Sequence, residues 1–214
     1  MKYNIATLIG RHKTYAIPSF FECITKLNQQ PENIFVSTTE EIYKQCPPLP
    51  NLKHIQGEFD TGDDTIKSTT SAREKIRTST LQTDEDWLLW LDNDIGVPVD
   101  LIERFETILA RKPNLVMAHG VHPARQKNEE LRHGMACTFT HRDLLSCHPF
   151  TRAYLRGANY GDDQIWLSVV GALGRFTWRK KDFEFESGVL FDVVHFVEDG
   201  SVRVVTEKHR GELV

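Results

Sequence analysis

The chain has 214 residues, of which 40% are hydrophobic, 26% charged and 10% aromatic, ordinary values for a globular protein with a substantial core. Its formal net charge of −4 is spread along the chain and argues against a nucleic-acid surface. No apolar run approaches the roughly 20 residues needed to cross a bilayer, and residues 1–10 have too short an apolar core for a signal peptide, with Arg11-His12-Lys13 on the wrong side of it.

In chain order, strands and helices alternate through the first half. Residues 3–9 are rich in β-formers and read as a strand. Residues 10–14 form a polar turn, and Pro18 suits the first turn of a helix. In that helix Ile17, Phe20, Phe21, Ile24 and Leu27 share one face. Residues 33–37 are a second strand and Leu52–Gln56 a third. Residues 62–82, entered through Asp63-Asp64, predict a polar helix with Ile66, Ala72 and Ile76 turned inward. Trp87–Leu91 is a short, wholly apolar run of the kind that makes a buried central strand. Pro98 opens a helix whose Leu101, Phe105, Ile108 and Leu109 follow the i, i+4, i+7, i+8 pattern, and residues 114–118 are a fifth strand.

The second half changes character. Residues 131–140 read as extended, and Ile165, Trp166, Val169, Val170 and Leu173 mark a helix. Short strands are expected at 176–178, 187–190 and 193–197. Repeated β-α-β units imply right-handed crossovers and an open, mainly parallel sheet with helices on both faces. With no linker, repeat or low-complexity tract, residues 1–214 read as a single domain, in which an open α/β half of nucleotide-binding type at 1–118 and a more irregular half at 119–214 enclose a substrate between them. Cys23, Cys46, Cys137 and Cys147 are widely spaced and read as reduced thiols of a cytoplasmic protein. A zinc site built on Cys147-His148 is the alternative.

The most informative stretch is Trp87–Leu91 followed at once by Asp92-Asn93-Asp94. In open α/β sheets, ligands bind in the crevice beyond the carboxyl ends of the strands. Two carboxylates held there by a buried strand are placed to grip a hard divalent cation and, through it, a phosphate-bearing substrate. The plain alternative is a surface turn, since Asp and Asn favour turns and caps.

From Ser71-Ala72-Arg73 through Trp87–Leu91 and Asp92-Asn93-Asp94-Ile95 to Pro98, the sequence resembles the nucleotide-sugar glycosyltransferases of the GT-A fold. It looks most like the fungal mannan-polymerase mannosyltransferases, which read Trp-x-Leu-Trp-Leu-Asp-x-Asp-Ile here. Gly161-Asp162-Asp163 is similar to the Gly-Glu-Asp segment of the large inverting GT-A family. The fungal enzymes carry a membrane anchor ahead of this domain; none is expected here, and the resemblance points to a soluble bacterial or viral relative.

The resemblance implies a UDP- or GDP-sugar donor, a glycan or glycoconjugate acceptor, and Mn²⁺ or Mg²⁺. Asp94 would be the direct metal ligand, and Asp92 would bind the metal through water or the ribose, beside Asn93. His195, on a late apolar strand, would complete the metal shell and favour Mn²⁺; the alternative is a core histidine bonded to backbone. Asp163 would accept the acceptor's hydroxyl proton, with Asp162 beside it, or both cap a helix. A product that retains configuration would remove that base role. Arg73 would pair with the diphosphate or hydrogen-bond the base, unless it is an exposed helix charge. Thr38, Thr39 and Glu40 after the second strand, and Gly10 and Arg11 after the first, would flank the nucleotide.

The polar stretch 121–133 reads as a loop that closes over the donor phosphates or as solvated surface, and Trp166 and Trp178 read as core. Two rivals remain. A sugar-nucleotide nucleotidyltransferase shares the sheet and the metal, but Ile9-Gly10-Arg11-His12-Lys13 is basic with a single Gly where that class carries a Gly-rich loop. A module that binds nucleotide-sugar without turnover is the other.

Overall fold

A computed structural model describes residues 1–57, 65–113, 115–119, 137–147, 149–150, 184–187, 194–196 and 202–204, the last three stretches as backbone strands. The chain opens with β1 (Tyr3–Leu8), a 3-10 segment (Arg11–Ala16) and α1 (Ile17–Thr25), followed by β2 (Asn33–Thr38), α2 (Glu40–Tyr43) and β3 (Leu52–Gln56). Next come α3 (Thr65–Thr80), β4 (Trp87–Leu91), the short β5 (Ile95–Gly96), α4 (Leu101–Arg111) and β6 (Leu115–His119). After these lie β7 (Cys137–His141), α5 (Arg142–Cys147), β8 (Glu184–Ser187), β9 (Val194–Phe196) and β10 (Val202–Val204).

The main sheet runs β3-β2-β1-β4-β7-β6-β8. β1 pairs in parallel with β2 and β4, β2 in parallel with β3, and β6 in parallel with β8. β7 is antiparallel to both of its neighbours, β4 and β6. A smaller antiparallel sheet, β10-β9-β5, grows from the residues just past β4.

Side-chain alternation divides β4 between two cores. Trp87, Leu89 and Leu91 face the layer formed by Phe20, Phe21 and Ile24 of α1 and by Leu101, Ile102 and Phe105 of α4. Leu88 and Trp90 face the opposite layer, with Ile76 of α3, Leu144 and Leu145 of α5, and Phe150. Phe105 stacks on Phe139 at 3.9 Å and meets the edge of Trp87 at 4.8 Å, so β4, β7 and α4 close around one aromatic cluster. With helices on both faces, β4 is apolar on both sides, which is why it reads as an unbroken hydrophobic run.

Two details differ from the sequence reading. Residues 10–14 are not a simple turn, because a 3-10 segment continues to Ala16. Pro18 explains the break before α1: it has no N–H to carry an α-helical ladder back to Thr14, whose carbonyl instead accepts from Ile17. Helix α4 starts at Leu101 rather than at Pro98, because Pro98 closes a turn by accepting the Leu101 N–H at 3.1 Å. β7 slots between β4 and β6, the fifth strand of the sequence reading, a pairing order on which the sequence is silent. Periodicity predicts that a strand exists but not which strand it pairs with.

Ala72 and Ile76 are buried as expected, whereas the Ile66 side chain and residues 62–64 lie outside the described residues. Outside them too are the loop 121–133, the helix expected around 165–173 and the strand at 176–178. The extended stretch 131–140 is seen from Cys137 onward, and the strand expected at 187–190 meets the described β8 at Ser187. No helix among the described residues is long and apolar enough to cross a membrane.

Candidate active site beyond strand β4

Parallel strands β1, β2 and β4 finish at the same edge of the sheet, and their connecting segments are tied together there. The Ile9 N–H donates to the Ser37 carbonyl at 3.0 Å, and the Thr38 hydroxyl donates to the Ile9 carbonyl at 2.7 Å. The loop after β1 therefore leaves the sheet from a fixed point. Within it the Lys13 N–H donates to the Gly10 carbonyl at 3.0 Å. Gly10 has ordinary extended backbone (φ −84°, ψ 161°), and an added Cβ would meet only the ring of His12, at 3.0 Å. Its glycine character is not demanded by the turn.

Beyond β4, the Ile95 N–H donates to the Asp92 carbonyl at 3.0 Å and makes Asp92-Asn93-Asp94 a tight turn. That turn and the β1 loop clasp each other twice. The Asn93 amide donates to the Lys13 carbonyl at 2.8 Å. In return the Lys13 ammonium donates to Asp94 Oδ1 at 2.9 Å and to Asp92 Oδ2 at 3.5 Å. Asp94 and Asn93 are buried, Asp92 is partly open, and Lys13 is largely covered. Asn93 Oδ1 is buried with no hydrogen-bond partner among the described residues, so an acceptor is left over inside the clasp.

Two carboxylates already converge on one cationic group. Hard oxygen donors with that convergence fit a divalent cation, with its remaining positions left for phosphate oxygens and water. Among the described residues no three His, Cys, Asp or Glu side chains form a ready-made shell. The backbone of β9 places His195 opposite Ile95, one residue past Asp94.

The other expected positions divide. Arg73 is buried on α3, which packs over β1, β2 and β3, so it is not an exposed helix charge. Arg11 is exposed. The hydroxyl of Thr38 is committed to Ile9, whereas Thr39 Oγ1 is buried with no partner among the described residues. Glu40 is exposed and lies 3.4 Å from His54 Nδ1 and 3.8 Å from Lys44. His54 also bonds the Thr38 carbonyl at 3.0 Å and stacks on Tyr43 at 4.2 Å. Asp162 and Asp163 lie outside the described residues, as does His148.

Sequence reasoning missed Lys13. The run Arg11-His12-Lys13 reads in sequence only as basic residues after a strand, and nothing local to residue 13 announces a contact with a turn 81 positions away.

The strand order, with β7 antiparallel between β4 and β6 in an otherwise parallel sheet among the described residues, is that of a GT-A fold. Solved structures agree at low identity. The A197 protein from STIV is similar with a TM-score of 0.54 and 13% identity, over 97% of this chain and 95% of that one. The galactosyltransferase LgtC, in complex with donor and acceptor sugar analogs, gives 0.55 and 14% over 86% and 73%. CMP:2-keto-3-deoxy-manno-octonic acid synthetase complexed with CTP gives 0.51 and 13% over 88% and 90%. No family model matches the sequence, and no curated protein matches it.

Proposed function

We propose that this chain is a metal-dependent glycosyltransferase that moves a sugar from a UDP- or GDP-sugar to a hydroxyl of a glycan or glycoconjugate. The observation that carries the reading is the turn Asp92-Asn93-Asp94, whose two carboxylates converge on one positive charge at the ligand-binding edge of a GT-A sheet. The fold likeness to LgtC supports it.

In this reading Asp94 and Asp92 hold Mn²⁺ or Mg²⁺, and His195 supplies a third donor. A divalent cation bound there supplies Lewis-acid stabilisation of the diphosphate leaving group. The chain's own residues do the rest. Arg73 pairs with diphosphate oxygens, its guanidinium desolvated and so strengthened as a partner. Thr38, Thr39, Glu40, Gly10 and Arg11 flank the nucleotide, and Asn93 holds the β1 loop against the acidic turn. Asp163, with Asp162 beside it, takes the proton of the attacking hydroxyl if the product is inverted.

The test is Asp94→Ala assayed for Mn²⁺-stimulated donor hydrolysis and sugar transfer. Loss of both with an unchanged circular dichroism spectrum is expected, and wild-type turnover in the variant would end the proposal. A thermal-shift panel of nucleotide-sugars with and without Mn²⁺ identifies the donor, since a ligand of the native state raises the melting point.

One observation favours a second reading. A basic side chain from the loop after β1 reaches the acids beyond β4, which also suits a nucleotidyltransferase that makes sugar nucleotides, and CMP:2-keto-3-deoxy-manno-octonic acid synthetase shares the fold. Release of pyrophosphate from a nucleoside triphosphate and a sugar would establish that reading; release of a nucleoside diphosphate from a donor sugar would exclude it. Metal-dependent nucleotide binding by calorimetry without either product would mark a binding module.

A further inference from the structure

We propose that Lys13 is a built-in counter-ion of the acidic turn, exchanged when the donor arrives: its ammonium neutralises Asp92 and Asp94 before the donor binds and moves onto the diphosphate when a divalent cation takes its place. The inference rests on the reading of that turn as a cation site, and it concerns a residue to which that reading assigns no role.

The geometry that points to it is the unequal grip on the two ends of the residue. The backbone of Lys13 is fixed: its N–H is bonded to Gly10 and its carbonyl to the buried Asn93 amide. Its ammonium lies 2.9 Å from Asp94 and 3.5 Å from Asp92, the position from which both carboxylates are neutralised at once. Two carboxylates separated by a single residue, one of them almost fully buried, repel each other at this edge, and the ammonium between them relieves that repulsion. A divalent ion binding the same oxygens expels the ammonium by like-charge repulsion, and the anchored backbone lets only the side chain swing. Four flexible methylenes end in a compact point charge suited to phosphate oxygens. A diphosphate arriving with the ion offers that charge a new anion within reach of the same Cα.

Two consequences separate this from a purely structural ion pair. Metal alone binds weakly, because it must displace Lys13 into solvent. Metal with a nucleoside diphosphate binds strongly, because the displaced ammonium is paired again. Lys13 thereby couples the two ligands, and the coupling is reciprocal.

The experiment has two parts. Calorimetry on wild type, Lys13→Met and Lys13→Arg measures Mn²⁺ alone, UDP or GDP alone, and each nucleotide with Mn²⁺ saturating. Lys13→Met is expected to bind Mn²⁺ alone about tenfold tighter, the scale of one close charge contact, and to lose most of the Mn²⁺–nucleotide coupling. Lys13→Arg, which keeps the charge, retains weak Mn²⁺ binding. Equal Mn²⁺ affinity in wild type and Lys13→Met overturns the counter-ion while leaving the metal site standing. Absence of Mn²⁺ binding in all three proteins, with or without nucleotide, overturns the metal-site reading itself and this inference with it.

The second part needs no substitution and so does not depend on a variant folding. Wild-type protein is labelled with an amine-reactive ester in EDTA, in Mn²⁺, and in Mn²⁺ with UDP or GDP, and acylation of Lys13 is read by mass spectrometry. Protection, exposure and renewed protection in that order are expected. Identical labelling in all three states overturns the exchange.

Discussion

The Lys13–Asp94 contact makes a quantitative claim about stability that a double-mutant cycle can examine. The ammonium and carboxylate are 2.9 Å apart with side-chain exposures of 14% and 6%. At an effective dielectric constant of about 20, their attraction is about 5–6 kcal/mol before desolvation. Withdrawing both groups from water offsets more than half of that, leaving a coupling of about 2–3 kcal/mol. Asp92 contributes less: its carboxylate is 3.5 Å from Lys13 and 29% exposed, so its share is about 1 kcal/mol or below. Urea unfolding in EDTA of wild type, Lys13→Met, Asp94→Asn and the double variant isolates the pairwise value. Lys13→Met is expected to be the more damaging single change, about 3 kcal/mol, because it removes a close positive charge from the buried Asp94 carboxylate. The double variant should be less destabilised than the sum of the singles by the coupling, and saturating Mn²⁺ should shrink the coupling as the ion replaces the ammonium. A coupling under about 0.5 kcal/mol in EDTA would refute the claim that this pair ties the β1 loop to the acidic turn.

Three further outcomes test the scaffold around the site. Leu89→Ala, at a fully buried position of the central strand, should cost about 3–4 kcal/mol in urea unfolding, and a loss under about 1 kcal/mol would contradict its place in the core. Arg77 donates to Glu74 at 3.0 and 2.6 Å and to the Leu145 carbonyl at 2.8 Å, while Glu74 accepts the Phe150 N–H at 2.8 Å. Arg77→Met should therefore loosen α3 from α5 at a cost of about 2 kcal/mol, read as faster amide exchange in residues 144–150. In native protein at pH 8, alkylation followed by mass spectrometry should find exposed Cys147 first and buried Cys137 only on unfolding. Burial pushes the Cys46 thiol up to about 11, so its labelling should stay slow at pH 8 and rise as pH climbs toward that value.

How much of this was legible depended on the range of the signal. The apolar run Trp87–Leu91 declared both its burial and its central place, because a strand covered on both faces has no polar side to show. The acidic turn was legible for the same reason: two carboxylates immediately after such a strand have few places to lie except the edge where parallel strands end. The faces of α1 and α4 followed from helical spacing, and Phe20, Ile24, Leu101 and Phe105 are all buried. The 3-10 segment was missed although Pro18 marked the break, because a proline announces where one ladder stops and not what precedes it. Strand β7 was seen as extended but not as the neighbour of β4, since side-chain alternation is blind to partner and direction.

Lys13 shows why the site was harder to read than the fold. A buried strand is written in consecutive residues, whereas the clasp joins the β1 loop to the β4 turn through one side-chain amide and one ammonium. Neither residue type is diagnostic alone: Asn93 suits any turn, and Lys13 any surface. The parallel pairing of β1 with β4, in which Tyr3 meets Trp87 and Ala6 meets Trp90, brings the two segments to the same sheet edge. Given that register, the charges do the rest. A buried carboxylate needs a counter-charge, and the nearest basic loop on the adjacent strand supplies it. For an acidic turn beyond a parallel strand, the loop of the neighbouring strand is therefore where a resident cation should be sought.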